Sequence, residues 1–479
     1  MHEVEAVVSR YVARYRLRFD TVFARVINAY PADEAGQTAS ATNTGSEKCD
    51  EKSQYNCGTI SHPRKSETWI SRSVRRPLFI AGILTAALCA SHGARAQGFW
   101  SQFKDTDDGR FDASRYLAEN AYGFLPVPII ITDPAVDGGL GAVGIFFHET
   151  DEQKEKRLNA LRNAENGAQF LLTPSVSVAA GAVTGNGSWF AGGGHMGFFK
   201  QGRIRYTGGG GYGDVNMDFY GTGEVALTRP IELNTEAAMI IQSLKFKIGD
   251  SEFFIGPTQR LVSARIEPRS LGDLSGDFLP PNLQEKWQEI MTSLLTTDVV
   301  TSALGIVVEY DSRSNFFSPH SGYQYHLEHL LYRDYLGSDV EYQLTDFKGH
   351  NYWQLNDKFR AALRVDIKFA DTDGLLPPFA TPDINLRGIP AMRYQGNLVT
   401  VAEAELTWQI DSRWSVNGFA GAGRAANSID ELDNQPTRVT KGAGFRYLIA
   451  QQYGFEMGLD VAVGPEENVF YIQAGTAWH

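Results

Sequence analysis

Charged and apolar side chains alternate with a period of two residues along much of the second half of the chain. Over 360–369 one set of alternate positions is apolar and the other carries four charges, and a similar division recurs over 401–410, 339–345 and 453–463. This period is typical of a β-strand whose two faces meet different surroundings. Burying unpaired charges would cost roughly several kcal/mol each, so the charged faces are expected to line a water-filled lumen.

Turn residues divide the chain from residue 138 onward into about sixteen such runs. Most are long enough for a tilted membrane-spanning strand, and longer than the usual strand of a soluble protein. The predicted runs are 138–149, 169–184, 187–199, 202–215, 217–228, 231–249, 251–268, 298–312, 320–334, 338–349, 351–370, 397–411, 413–426, 439–450, 452–464 and 467–478. We therefore predict an all-β fold, a transmembrane antiparallel β-barrel, with a soluble β-sandwich as the alternative.

The longest predicted connections are 150–168, 269–297 and 371–396, and the strand count places all three on the external side. The connection 269–297 has apolar side chains at helical spacing over 282–296, which predicts a short amphipathic helix that caps the rim. These apolar residues are Leu283, Trp287, Ile290, Met291, Leu294 and Leu295.

The order of residues before position 97 is that of a secretory signal peptide. Arg72, Arg75 and Arg76 precede the apolar stretch Leu78–Ala90, and Ala94–Ala96 supplies small residues for cleavage before residue 97. We therefore expect a signal peptide over 71–96, a periplasmic lead-in over 97–125 and an outer-membrane barrel over 126–479. Residues 1–70 are expected to be a disordered extension, or to lie upstream of the true translation start.

Composition narrows the classes of function. Mean hydropathy is −0.26, which excludes a bundle of membrane helices, while glycine (48 residues) and aromatic side chains (12%) are both abundant, as in barrel walls. From residue 97 onward, 47 Asp and Glu stand against 31 Lys and Arg, which argues against a nucleic-acid partner. The three cysteines all precede residue 97, so the mature part is expected to have no disulfide or thiolate site.

No catalytic or metal-binding pattern stands out in the sequence. His326 and Glu328 share one face of a predicted strand, but no nucleophile elbow accompanies them. Alternating polar residues produce such pairs by coincidence. We expect no enzyme activity, no cofactor and no metal.

Five segments, in this order, resemble the barrel domain of one family. They are Pro126–Pro134 with Gly138–Gly144, Tyr310–Arg313 with Pro319–Tyr323, Leu386–Ile389, Gly442–Arg446 and Phe470–Trp478. The family is that of BamA and TamA, outer-membrane assembly and secretion proteins also called bacterial surface antigens. Only residues 97–123 separate the predicted cleavage site from the segment that resembles the start of the family's barrel. The chain therefore resembles a barrel-only branch without periplasmic POTRA domains.

The resemblance implies an inward-folded loop with Arg387 and Gly388 at its tip. A guanidinium inside a barrel needs a partner because it does not lose its charge. The family's acidic position is occupied here by Gly421, so Glu403 and Glu405 are the expected anchoring partners. Late in the barrel, a further motif consists of Gly442, Gly444 and Arg446.

The resemblance also implies a lateral seam between the first run, 138–149, and the last, 467–478. Glycines weaken strand pairing or simply fit a crowded wall, and the two interpretations remain equal. The expected seam residues are Gly139, Gly141, Gly144, Phe470, Ile472 and Trp478.

The implied function is to aid the insertion or translocation of protein or lipid in the bacterial outer membrane. Expected partners are membrane lipid, a client protein, and the barrel assembly machinery during biogenesis. A passive porin-like channel and a surface structural protein are the alternatives.

Overall fold

The computed structural model describes residues 103–105, 108–114, 124–148, 175–222, 225–269, 298–315, 317–451 and 454–478, all of which belong to the compact unit Ala81–His479. The predicted signal peptide and the segment before it lie outside the described residues, as do 150–168 and the helical pattern at 282–296. No helix within the described ranges has the length and apolar character to cross a membrane.

Sixteen antiparallel strands form one sheet in which each strand pairs with its neighbours in the sequence. They are β1 (Phe124–Ile131), β2 (Gly139–His148), β3 (Ser175–Thr184), β4 (Trp189–Phe199), β5 (Ile204–Thr222), β6 (Val225–Lys247), β7 (Phe253–Pro268), β8 (Val299–Asp311), β9 (Gly322–Tyr332), β10 (Tyr342–Gln354), β11 (Phe359–Asp371), β12 (Leu398–Gln409), β13 (Trp414–Ala426), β14 (Arg438–Ala450), β15 (Phe455–Val463) and β16 (Asn468–Ala474). In the connections that the structure describes, three single-turn 3-10 helices lie at Pro134–Val136, Asp334–Leu336 and Leu432–Asn434.

Contacts between strands that are not neighbours show how the sheet curves. Arg360 on β11 forms an ion pair with Glu456 on β15, with 3.1 Å between Nη2 and Oε1. The hydroxyls of Tyr352 on β10 and Thr476, just beyond β16, lie 3.5 Å apart. These contacts lie on the inner face of a nearly closed barrel, and the predicted fold class is confirmed.

The first strand begins earlier than the sequence pattern predicted. β1 pairs with β2 along its whole length, from Phe124 with Phe146 to Ile131 with Gly139. Pro126 and Pro128 made this segment look like a lead-in, because proline has no N–H for a sheet ladder. On an edge strand proline is tolerated, since one side of the ladder is unused.

Two predicted boundaries within the barrel are wrong. The run 217–228 is not a separate strand, since its residues lie at the facing tips of β5 and β6, with a register shift beside Gly221. A boundary near residue 350 is also absent, because 350 lies inside β10 and the turn follows at 355–358. The strand count was right only because the extra run replaced the missed β1.

The missed first strand also reverses one prediction about the connections. In an antiparallel meander, successive connections alternate between the two ends of the barrel. The connections that follow β7 and β11 lie at one end, and the connection that follows β2 lies at the other. The three long connections therefore do not share a side.

The inner face differs between the two halves of the sheet. On β10 to β12 it carries charged side chains such as Asp346, Arg364 and Glu403, as the alternation predicted. On β1, β3 and β4 the register places Ile129, Val178 and Phe190 on the inner face, and each is more than a third exposed. The lumen wall is thus charged on one side and apolar on the other.

The last residues leave the sheet. β16 ends at Ala474, and Gly475 with φ of +80° turns the chain inward. Trp478 is buried, and its ring lies 5.9 Å from His350 and 6.1 Å from Tyr352, centroid to centroid. The predicted strand over 467–478 is therefore four residues too long, and Trp478 does not continue the outer face of Phe470 and Ile472.

Candidate functional site

The connection between β11 and β12, residues 372–397, packs against the inner face of the barrel. Ile384, Leu386 and Ile389 form a buried cluster with Val399 and Val401 of β12. The connection is held in shape by its own backbone, for example by the N–H of residue 396, which donates to the carbonyl of residue 382 at 3.0 Å. A compact segment of this kind positions its tip as firmly as a strand does.

Two glycines of β13 leave the space that this connection occupies. A Cβ added to Gly421 would lie 2.7 Å from Leu386 Cδ2, and one added to Gly423 would lie 2.7 Å from Ile384 Cγ2. A larger residue at either position would require the Leu386 or Ile384 side chain to move. Gly421, at the position where the resembled family often carries an acidic residue, leaves its space to Leu386.

Arg387 lies at the tip of the connection, with its side chain 6% exposed. Its Nε donates to Glu403 Oε1 at 2.6 Å, and Nη2 lies 2.9 Å from Glu405 Oε2. Nη1 donates to Asp460 Oδ2 on β15 at 2.7 Å. The structure thus places both predicted carboxylates on Arg387 and adds Asp460, which sequence reasoning missed because β15 and the loop are far apart in the chain.

An aromatic ring completes the surroundings of the guanidinium. Arg387 Cζ lies 3.5 Å from the centre of the Phe419 ring on β13, a cation–π contact. Gly442 on β14 makes room for this ring, since an added Cβ would lie 2.2 Å from Phe419 Cζ. Gly442 thereby acts on Arg387 through the ring.

The other two residues of the late-strand motif hold Asp460. Arg446 donates two hydrogen bonds to its carboxylate, at 2.6 and 2.9 Å. A Cβ added to Gly444 would lie 1.9 Å from Asp460 Oδ1, so only glycine leaves space for the carboxylate. The motif Gly442, Gly444 and Arg446, for which sequence analysis offered no role beyond the resemblance, supports the partners of Arg387. We call Arg387, Glu403, Glu405, Asp460 and Arg446 the brace.

Gly388, next to Arg387, connects the tip to the last hairpin. Its φ is +93°, and its N–H donates to the Tyr471 hydroxyl on β16 at 2.9 Å. A Cβ on Gly388 would approach the nitrogen of Gly464, in the β15–β16 turn, to 3.0 Å. The connection therefore contacts β12, β13, β15 and β16 at once.

The edges of the sheet lie at β1 and β16. Within the described residues, β1 pairs only with β2, and β16 pairs only with β15. On the outer face of β16, Phe470 is 51% and Ile472 42% exposed. The predicted seam is therefore wrong on one side, because the edge strand is β1 and not the run 138–149.

The glycines of β2 serve its pairing with β3. An added Cβ would lie 2.4 Å from the Val183 oxygen at Gly139 and 2.8 Å from the Gly181 oxygen at Gly141. Gly144 pairs with Pro126 inside the β1–β2 ladder. For Gly139 and Gly141 the crowded-wall interpretation fits these distances, since both permit close approach of two backbones.

The histidine and glutamate that share a face of β9 each contact a side chain of another strand. His326 Nδ1 lies 3.6 Å from Glu309, and Glu328 accepts from Arg260 and from Thr258. Across the described ranges, no group of three or more His, Cys, Asp or Glu side chains could hold a metal ion.

No protein-family model and no curated protein matches the chain. Among solved structures, the chain is similar to BamA from Haemophilus ducreyi lacking POTRA domains 1–3, with 12% identity over 79% of this chain and 81% of that one, at a TM-score of 0.44. It is also similar to CdiB from Escherichia coli (10% identity, 73% of this chain and 62% of that one, TM-score 0.45). For CdiB from Acinetobacter baumannii the values are 11%, 73%, 59% and 0.45.

Proposed function

We propose that this chain is an outer-membrane β-barrel protein that aids the insertion or translocation of protein or lipid at the junction between β1 and β16. The observation that carries the proposal is the one-sided pairing of these two strands. An unpaired strand edge presents N–H and C=O groups that a further strand can join by β-augmentation.

The length of the two edge strands supports a junction that opens. β1 has eight residues and β16 seven, fewer than any other strand of the barrel. β1 also contains Pro126 and Pro128, each of which removes a backbone donor. A junction between two short strands, one of which lacks two backbone donors, can form few backbone hydrogen bonds, so few are broken when it opens.

The brace supports the same function from inside the barrel. Asp460 of the brace lies on β15, and Gly388, next to Arg387, donates a hydrogen bond to Tyr471 on β16. The last hairpin is thereby held while β1 is free of such a support among the residues that the structure describes. The segments that resemble the BamA/TamA family include Leu386–Ile389, which contains Arg387, and Pro126–Pro134, which contains most of β1. The proposal includes export by the predicted signal peptide and assembly by the barrel machinery.

A crosslink across the junction is expected to abolish the activity. Ile130 and Ile472 lie on the outer face of the two edge strands and are 49% and 42% exposed, so cysteines at Ile130→Cys and Ile472→Cys can be joined in the folded protein through disulfide bonds to a short dithiol linker. In liposomes, the crosslinked variant should insert an unfolded outer-membrane client, and scramble labelled lipid, no faster than empty liposomes. Reductant should restore the wild-type rate.

A matched control uses the same position of β1. Ile130 pairs with Leu140 of β2, so Ile130→Cys with Leu140→Cys links two strands that are already joined and should keep full activity. If the junction-locked protein, with its crosslink verified by mass, is as active as this control, the proposed function is wrong.

A passive channel is the second candidate, favoured by the charged inner face of β10 to β12. The connection 372–397 occupies part of the lumen, so in planar bilayers we expect small and unsteady conductance steps. A large and stable conductance in every insertion event would favour the channel over the proposed function.

A further inference from the structure

The segment before β1 is bound to the barrel beyond β16, at the end of β14 and the turn between β12 and β13. Of this segment the structure describes 103–105 and 108–114, and we call these residues the anchor. Asp105, Asp108 and Asp112 all contact the guanidinium of Arg413, which lies in the turn between β12 and β13. The Arg413 side chain is fully buried, so this is a built site and not a loose surface pairing.

Backbone contacts add to the ion pairs. The N–H of Ala113 donates to the Ile449 carbonyl at 2.7 Å, and the Tyr447 hydroxyl donates to the Phe111 carbonyl at 2.7 Å, both near the end of β14. Arg110 also pairs with Asp411, at 3.1 Å. The Arg413 hydrogen bond lowers the pKa of Asp108, so the carboxylate is charged at neutral pH.

The anchor and the start of β1 lie at the same end of the barrel but on opposite sides of the junction. Phe124 pairs with Phe146 near the end of β2, at the end of the barrel where the β12–β13 and β14–β15 turns also lie. In the sheet order, β15 and β16 separate β14 from the junction. Nine residues, 115–123, connect Ser114, the last residue of the anchor, to Phe124, so the chain joins the two sides of the junction covalently.

We propose that the anchor ties β1 to β14 and thereby sets the greatest width to which the β1–β16 junction opens. The inference rests on the proposed function for the purpose of this limit. The limit itself follows from the number of residues between Ser114 and Phe124, which we call the tether. The inference assigns a part to a segment that neither the barrel wall nor the brace explains.

Chain geometry gives this limit a size. The ten steps from residue 114 to residue 124 reach at most about 35 Å. Three strand spacings separate β14 from β1 in a closed barrel, which is about 19 Å along the rim when strands are tilted by about 40°. The remaining reach, about 16 Å, admits roughly two or three added strands. A client hairpin fits within this limit, and a larger sheet requires release of the anchor.

Distance measurement between spin labels tests the proposal without any client. With labels at Ile130→Cys and Ile472→Cys in lipid nanodiscs, Arg413→Gln should shift the longest β1–β16 distances outward by at least one strand spacing, about 5 Å. Arg203→Gln is the matched control, since it breaks the exposed Arg203–Asp250 pair at the same rim, far from the junction. That control should leave the distances unchanged.

A second variant keeps the test valid if Arg413→Gln fails to fold. Ten glycine and serine residues inserted after Ser114 leave every anchor contact intact and lengthen only the tether, and should widen the distances in the same way. If both folded variants give the wild-type distribution, the anchor does not limit the junction. That result would leave the proposed function standing, because the crosslinking experiment measures activity and not width.

Discussion

Replacement of Arg387 by methionine is expected to lower the free energy of unfolding by about 3–5 kcal/mol, the typical cost of removing one partner from a buried ion pair. Glu403, Glu405 and Asp460 would remain on the inner wall with Arg446 as the nearest remaining cation of the brace. The change is measured as the urea midpoint of the folded fraction, followed by heat-modifiable gel mobility.

Two further variants make the result specific. Arg203→Met removes a turn arginine whose own side chain and whose partner, Asp250, are 50% and 97% exposed, so its effect should stay below about 1 kcal/mol. Arg387→Lys keeps the charge but loses the planar fork, and should recover only part of the loss. Equal midpoints for wild type and Arg387→Met would contradict the assignment of the brace.

Gly444→Ala is expected to be as damaging as the loss of Arg387, although it adds a single methyl group. The added Cβ would stand 1.9 Å from Asp460 Oδ1 and 2.6 Å from the Leu459 carbonyl oxygen. The carboxylate would have to leave both Arg387 and Arg446, so we expect a loss of about 3 kcal/mol or more, as for other broken buried networks.

The neighbouring strand offers the control. Gly418 on β13 has only a backbone oxygen 4.0 Å from the place of its Cβ, so Gly418→Ala should be close to neutral. Both variants are compared by urea midpoint and by the amount of barrel in membrane fractions. A Gly444→Ala protein as stable as Gly418→Ala would show that Asp460 does not need this space.

Alternating charge was sufficient to predict the barrel because it reports on each strand separately. Arg364 and Asp366 share one face of β11, and their charges exclude that face from contact with lipid, whatever the neighbouring strands are. The same argument could not find β1, since Pro126 and Pro128 resemble a linker until the strand is known to lie at an edge. It also could not show that the inner face of β1 to β4 is apolar.

Sequence analysis predicted only the partners of Arg387 that lie on the strand directly after its connection. The resemblance implied an inward loop with Arg387 at its tip. Glu403 and Glu405 were expected as its partners because they occupy lumen-facing positions on the strand before the one that carries Gly421. Asp460 lies 73 residues from Arg387, and only the curvature of the barrel brings the two side chains together. Asp105, Asp108 and Asp112 gave no signal, because three acidic residues in an irregular segment look like any solvated stretch.

The separation of these contacts along the chain has a consequence for the order of assembly. Hairpins between sequence neighbours close short loops and can form early, whereas contacts of large sequence separation carry the greatest closure entropy. Arg413 joins Asp105 across 308 residues. The anchor is therefore expected to be among the last described parts of the chain to reach its final contacts, because the arginine that binds its aspartates is synthesised much later.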